Sequence, residues 1–177
     1  RLQLGALSEL ALVASLRGRW DESRAWAERM HVLASAIGSP RDIGVAQLRL
    51  AEAAEAQGDA AAALRWHGLN LDIHRALDNK RMEAITWRAL ADLHLEQGDA
   101  EAALDACARS QALHQGLGEP GESCRVDALA ACCTRALGRP AAALAQVEAT
   151  LDRLPRELAD CPTHETIELR WRCQQVL

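Results

Sequence analysis

Residues 87–107 read W-R-A-L-A-D-L-H-L-E-Q-G-D-A-E-A-A-L-D-A-C, and this stretch decides the fold. Gly98 separates two runs in which apolar residues recur every three or four positions, the period of a helix with one buried face. A glycine can adopt the left-handed conformation that ends a helix, and an aspartate directly after it can cap the next helix. The stretch therefore predicts two helices joined by a tight turn at Gly98 and Asp99.

The same pattern recurs every 40 residues along the chain. An alanine lies seven positions before each turn glycine, giving the pairs Ala11 and Gly18, Ala51 and Gly58, Ala91 and Gly98, and Ala131 and Gly138. A second set of turns lies midway, at I-G-S-P (37–40), L-D-N-K (77–80) and L-G-E-P (117–120). Each repeat is therefore predicted to contain two helices of about 17 residues, or roughly 25 Å each. The predicted repeats are 1–40, 41–80, 81–120 and 121–160.

Short turns make neighbouring helices antiparallel, and one helix pair cannot cover its own apolar stripe until the next pair packs on it. The predicted fold is thus an all-α, right-handed solenoid of about four helix pairs, forming one domain over 1–177. We expect Leu64, Leu104 and Leu144 on the buried side of the second helices. Pro155 is expected to interrupt the last of these helices. A final amphipathic helix at 163–177 is expected to cap repeat four through Ile167, Leu169, Trp171 and Val176.

Composition narrows the possible functions. The 177 residues carry a formal net charge of −5 and no basic run, which disfavours direct binding to nucleic acid. No stretch of about 18 uncharged apolar residues is present, so a membrane span is not expected. The six cysteines form no C-x2-C pair, which indicates reduced thiols and a cytoplasmic location. Since the chain opens at Arg1, we expect it to be a fragment of a larger protein.

One repeat also resembles a known family. Trp87-x2-Leu90-Ala91-x2-His94, followed by Ala103-x3-Cys107, resembles the tetratricopeptide repeat (TPR) signature W-x2-L-G-x2-Y and A-x3-F. The 40-residue period is similar to the longer repeats of bacterial signal-transduction ATPases and of maltose-activator-like regulators. The resemblance implies a sensor or docking arm beside a nucleotide-binding domain.

The family resemblance implies a concave groove lined by the first helix of each pair. Carried onto this chain, three rows are Ser8, Leu48, Arg88 and Ala128; Leu12, Glu52, Asp92 and Cys132; and Gly5, Val45, Ile85 and Arg125. The expected partner-binding residues are Leu48, Glu52, Glu55, Arg88, Asp92, Glu96, Arg125 and Arg135. Acidic residues flanked by arginines suit a peptide or partner helix that carries a basic residue. An ordinary solvated helix face would display the same charges.

Signatures of catalysis are missing from the sequence. It contains no G-x-x-x-x-G-K-[ST], no G-x-G-x-x-G after a strand and no G-x-S-x-G, so we expect neither an enzyme nor a cofactor. His74 and His114 share a column of adjacent repeats, about 10 Å apart, which is too far to share a metal ion without a third ligand.

These observations favour a non-catalytic protein-interaction scaffold of a larger bacterial regulator, binding an unidentified protein or peptide. A small-molecule inducer sensor is the alternative, and a closed apolar cavity would favour it. Self-association through the exposed terminal repeats is a third possibility.

Overall fold

The computed structural model describes residues 2–157 and 172–176. Eight helices are bounded as α1 Leu2–Leu16, α2 Trp20–Ile37, α3 Pro40–Ala56, α4 Ala60–Ala76, α5 Lys80–Glu96, α6 Ala100–Leu117, α7 Pro120–Ala136 and α8 Pro140–Glu157. Residues 172–176 are also helical, and we call them the C-terminal segment. The described ranges contain no strand. The helices pair as predicted, with two in each 40-residue repeat.

The chain divides into two compact units. Unit 1 covers residues 1–79 and contains α1 to α4, and unit 2 covers residues 80–177 and contains α5 to α8 with the C-terminal segment. Inside each unit every helix packs against its neighbour in sequence. This consecutive packing is the pattern by which stacked helix pairs bury a continuous core.

The predicted turn chemistry is confirmed. Gly18, Gly58, Gly98 and Gly138 all have φ between 69° and 81°. At Gly58 the turn closes with hydrogen bonds from the Gly58 amide to the Glu55 carbonyl and from the Asp59 amide to the Ala54 carbonyl. This is the Schellman arrangement, which satisfies carbonyls at the helix end. The carboxylates of Asp59 and Asp99 each accept a hydrogen bond from the amide three residues later, at 3.0 Å.

The turns between repeats use the same conformation with one exception in residue type. Gly38 and Gly118 have φ of 70° and 68°, and Asp78 occupies the equivalent position with φ of 51°. Aspartate tolerates the left-handed region better than most residues because its short polar side chain can hydrogen-bond locally. The 40-residue register is therefore kept where the glycine is replaced.

The alanine column of the first helices lies in the core. Ala11, Ala51, Ala91 and Ala131 are completely buried. In the second helices the corresponding residues are Ala63, Ala103 and Ala143, also completely buried. The prediction that Leu64, Leu104 and Leu144 point inward was wrong: the first two are half-buried and Leu144 is 39% exposed. A shift of one residue turns a side chain by about 100° on a helix, and close helix approach selects the small residue.

Buried polar side chains tie the two helices of a pair together. The Asn70 amide in α4 donates to the Gly44 carbonyl in α3 at 2.7 Å, and the Ser110 hydroxyl in α6 donates to the Ala84 carbonyl in α5 at 2.8 Å. The two donors, Asn70 and Ser110, occupy equivalent positions 40 residues apart, and so do the two acceptors, Gly44 and Ala84. Gly44 leaves room for α4, since a β-carbon there would lie 3.2 Å from Ile73 Cγ2.

Two expectations about the C-terminal part have different outcomes. Pro155 does not interrupt α8, which continues to Glu157. The predicted capping contact of Val176 is confirmed, because Val176 packs against a core cluster of α7 and α8. Ile167, Leu169 and Trp171 lie outside the described residues.

Candidate binding faces of the first helices

Each unit carries its own part of the face predicted to bind partners. In unit 1, Leu48 and Glu52 are both half-buried on α3. The Glu52 carboxylate accepts a hydrogen bond from Arg49 Nη1 at 2.6 Å, and its side chain keeps 36% of its surface exposed. Glu52 is therefore oriented by Arg49 and remains accessible to a basic group.

Glu55 has a different environment from Glu52. Its Oε1 lies 2.5 Å from Nε2 of His67, a buried residue of α4. The carboxylate thus reaches toward the second helix of its own pair. Glu55 serves to join α3 and α4, and it is a weaker candidate for partner binding than Glu52.

A cleft of about 510 Å³ lies between α1 and α3 in unit 1. Its lining includes Gly5, Ser8 and Val45 from the predicted groove rows, with Leu4 and Met30 among its apolar residues. The polar lining comes from Glu9, Ser39, Arg41 and Asp42, in addition to Ser8. Ser39 Oγ donates to Asp42 at 2.6 Å, so one of the two acids is already hydrogen-bonded.

In unit 2, Asp92 on α5 lies between two arginines. Arg88 Nη1 is 3.8 Å from one carboxylate oxygen, and Arg172 Nη1 of the C-terminal segment is 2.6 Å from the other. The Arg172 and Asp92 side chains are 18% and 27% exposed. Arg172 and Asp92 therefore form a partly desolvated ion pair between residues 80 positions apart.

The C-terminal segment also contacts α7 on this face. The Cys132 thiol donates to the Arg172 carbonyl at 3.7 Å, and Cys173 packs in one cluster with Cys124, Ala128, Ala131 and Val147. Ala128, predicted to line an open groove, is completely buried. Because two predicted rows end under this segment, part of the expected groove in unit 2 is already occupied.

The remaining predicted residues lie around this contact. Glu96 and Arg135 are exposed near the ends of α5 and α7. Arg125 is half-buried and forms an ion pair with Glu122 at 3.2 Å, one turn earlier on α7. Arg88 and Arg125 thus each lie beside an acid of their own helix, Asp92 on α5 and Glu122 on α7.

Most of the described cysteines of unit 2 are buried, and their surroundings shift the pKa values of several of them. Burial raises the pKa values of Cys132 and Cys173. A hydrogen bond to Cys133, together with burial, raises the pKa of Cys107, and the same hydrogen bond lowers the pKa of Cys133, which accepts it. The five described cysteines are free. Neutral thiols behave as small apolar side chains, which suits the cluster around Cys173.

Metal sites and membrane spans are both missing from the described part of the chain. Within residues 2–157 and 172–176, no three or more His, Cys, Asp and Glu side chains are placed to hold a metal ion. Among the helices of these same ranges, none is long and apolar enough to cross a membrane.

Sequence reasoning missed three residues that organise these faces. Arg49 and His67 hold Glu52 and Glu55, and Arg172 holds Asp92. Arg49 lies three residues before Glu52, so helix spacing could have indicated that pair. No local signal links Arg172 to Asp92, because their contact depends on where the chain after α8 returns.

Comparison with solved structures identifies the fold. Two crystal structures of kinesin light chain TPR-like repeats from Podosopora anserina, the first of them a single-residue variant, superpose with TM-scores of 0.77 and 0.76 at 18% and 17% identity. Each superposition covers 98% of this chain, and it covers 85% of the first crystal structure's chain and 86% of the second's. BtubC (BKLC) from P. vanneervenii matches with a TM-score of 0.77 at 21% identity, over 88% of this chain and 63% of its own.

No family model and no curated protein matches the sequence. The structural likeness confirms the predicted fold class, an all-α solenoid of TPR-like helix pairs. At these identities the likeness concerns the fold alone.

Proposed function

We propose that this chain is a non-catalytic docking module of a larger bacterial regulatory protein. Its first-helix faces would bind a peptide or partner helix that carries basic residues. The neighbouring folds support the repeat architecture, which presents extended faces suited to protein partners. Free, buried thiols are consistent with a cytoplasmic location.

The observation that carries this proposal is the contact between Asp92 and Arg172. A short helical segment with one arginine already lies against a first-helix face, paired with an acid of the predicted groove. Glu52 is the residue equivalent to Asp92 in the preceding repeat, and it keeps an accessible carboxylate. A basic side chain of a partner would find the same type of acid on α3.

The test is a charge reversal at Glu52. Glu52→Lys should weaken capture of the physiological partner by the full-length parent protein, measured by quantitative pull-down from a lysate of the source organism. Glu52 forms a partly exposed ion pair, so the variant should lose only about 0 to 1 kcal/mol of stability. Asp92→Lys is a poorer test because it breaks the ion pair with Arg172 and would also affect folding.

Asp105→Lys on α6 is the matched control. Asp105 pairs with Arg109 at 2.8 Å on an exposed face of a second helix, so this reversal changes the net charge equally but lies off the proposed face. Partners lost with Glu52→Lys and retained with Asp105→Lys support the proposal. Unchanged capture with Glu52→Lys removes the α3 face from consideration.

A second candidate is an inducer-sensing domain of a signal-transduction ATPase. The cleft between α1 and α3 supports it, because about 510 Å³ lies within the usual range for small-molecule sites. Five of its nine lining residues are polar or charged, whereas such sites are mostly apolar. The peptide-binding proposal is therefore preferred. A ligand that raises the melting temperature of the wild type but not of Asp42→Ala would reverse this preference.

A further inference from the structure

We infer that the C-terminal segment is an internal ligand of unit 2, seated where a partner helix bearing an arginine followed by a small apolar residue would bind. This inference rests on the proposed function and names the partner chemistry for one face. In the segment, the residues that would define such a partner are Arg172, the adjacent Cys173, and Val176, which follows Cys173 by three positions.

The first support is the position of the contacts on the predicted face. Asp92 on α5 takes the arginine, and Cys132 on α7 donates to the backbone of the same residue. Asp92 and Cys132 are 40 residues apart in one predicted groove row. The segment therefore lies along the row that the resemblance assigns to partners.

The second support is the amphipathic character of the segment. Cys173 and Val176 are three residues apart and lie on one side of a helix, where they pack against α7 and α8. Gln174 and Gln175 are exposed. An apolar pair in a groove with one anchoring charge is the usual way in which a helix binds to a helical surface.

An internal ligand lowers the apparent affinity for an external one, because only the fraction of molecules with the segment displaced can bind. Tethering also gives the segment a high effective concentration. Weakening the internal contact should therefore increase binding of any peptide with the same pattern.

The test uses the full chain and a fluorescent synthetic peptide of residues 163–177 as the probe, with a reductant present. In fluorescence anisotropy, Arg172→Glu should bind the probe at least tenfold more tightly than the wild type, because the variant segment is repelled by Asp92. A double variant, Arg172→Glu with Asp92→Lys, restores the internal pair with reversed charges. It is tested by the accessibility of Cys173 and not by the probe, because Asp92→Lys also removes the acid that would bind the arginine of the probe.

Cys173 provides an independent readout of displacement. It is almost completely buried, so its modification by N-ethylmaleimide, mapped by mass spectrometry, should be slow in the wild type. The rate should rise at least tenfold in Arg172→Glu and return to the wild-type rate in the double variant. Arg109→Glu on α6, which breaks an exposed ion pair, is the control for loss of an arginine and should behave as the wild type.

Circular dichroism checks that the variants fold. If Arg172→Glu does not fold, Arg172→Gln replaces it, because this substitution removes the charge without introducing repulsion. The inference is overturned if the folded variant binds the probe no more tightly than the wild type. That result would make the segment a fixed cap. It would leave the Glu52 test untouched, because the pull-down with Glu52→Lys depends on α3 and on the physiological partner.

Discussion

Two glycines of unit 1 make a matched pair for testing how the turns define the repeat. Gly58 ends α3 with φ of 74°, and Gly68 lies in the middle of α4 with ordinary helical backbone. A β-carbon added at either position would meet no atom within 4 Å. Replacement by alanine therefore changes backbone preference at both sites without causing a steric clash.

The expected effects have opposite signs. Placing an L-residue in the left-handed region costs roughly 1–2 kcal/mol, and the reduced freedom of the unfolded chain offsets about 0.4–1 kcal/mol of that. Gly58→Ala should thus destabilise the chain by about 1 kcal/mol. Gly68→Ala should stabilise it by about 0.5–1 kcal/mol, since alanine is the better residue inside a helix.

Urea denaturation of the full chain, followed by circular dichroism at 222 nm, measures both variants. We expect the midpoints to move apart, with Gly58→Asn between Gly58→Ala and the wild type because asparagine tolerates the left-handed region. Repeat proteins need not unfold in a single step, so the order of the midpoints is the primary result. If Gly58→Ala is as stable as Gly68→Ala, the left-handed turn does not constrain the repeat and our reasoning fails.

Three further predictions concern single contacts. Ser110→Ala removes the hydroxyl bonded to the Ala84 carbonyl and should cost about 1 kcal/mol in urea denaturation, whereas Ser35→Ala on an exposed face should change little. Glu119 is desolvated, which raises its pKa, but hydrogen bonds from His114 and Arg81 outweigh this and hold the pKa below its ordinary value of 4.5. The ionised Glu119 therefore contributes to the free energy of unfolding above pH 4.5, and this contribution is lost as the pH falls through the lowered pKa. The difference in free energy of unfolding between the wild type and Glu119→Gln should shrink on going from about pH 7 to about pH 3. A constant difference would contradict the assignment. Leu2 and Leu16 on α1 are 94% and 78% exposed, so we expect the chain to self-associate through this helix. Light scattering should show a molar mass that rises with protein concentration, and Leu16→Glu should have a lower mass at the same concentration. A strict monomer would count against self-association through this helix.

The fold could be predicted because its determinants are local and repeated. A left-handed glycine, an aspartate cap and a small packing residue each act within one turn or one helix pair, and the 40-residue spacing repeats them. Asp78 shows the limit of reading glycines alone, since it takes the turn conformation that Gly38 and Gly118 take elsewhere. Leu144 shows another limit, because apolar character did not distinguish it from the neighbouring Ala143, which is the buried residue.

The binding faces were harder to predict because their charges depend on contacts between helices. Glu55 belongs to the acidic set by spacing, yet its carboxylate is bonded to His67 of α4. Asp92 belongs to the same set, yet it is paired with a residue 80 positions later. Helix periodicity gives the direction of a side chain, but it does not give the partner supplied by another element.

Two columns of the first helices show which positions of a repeat protein of this kind can determine partner specificity. Ala11, Ala51, Ala91 and Ala131 are identical and completely buried, because any larger residue would separate the two helices of a pair. One position further along, the residues are Leu12, Glu52, Asp92 and Cys132, all half-buried. Core packing does not fix the residue type in this second column. The side chains there can therefore match the charge and polarity of the groups that contact them. In unit 2 that neighbour includes Arg172, whose contacts reach both Asp92 and Cys132. Replacing the residue at one position of this column should therefore change partner preference with little effect on the alanine core, whereas the same change one residue earlier should unfold the repeat.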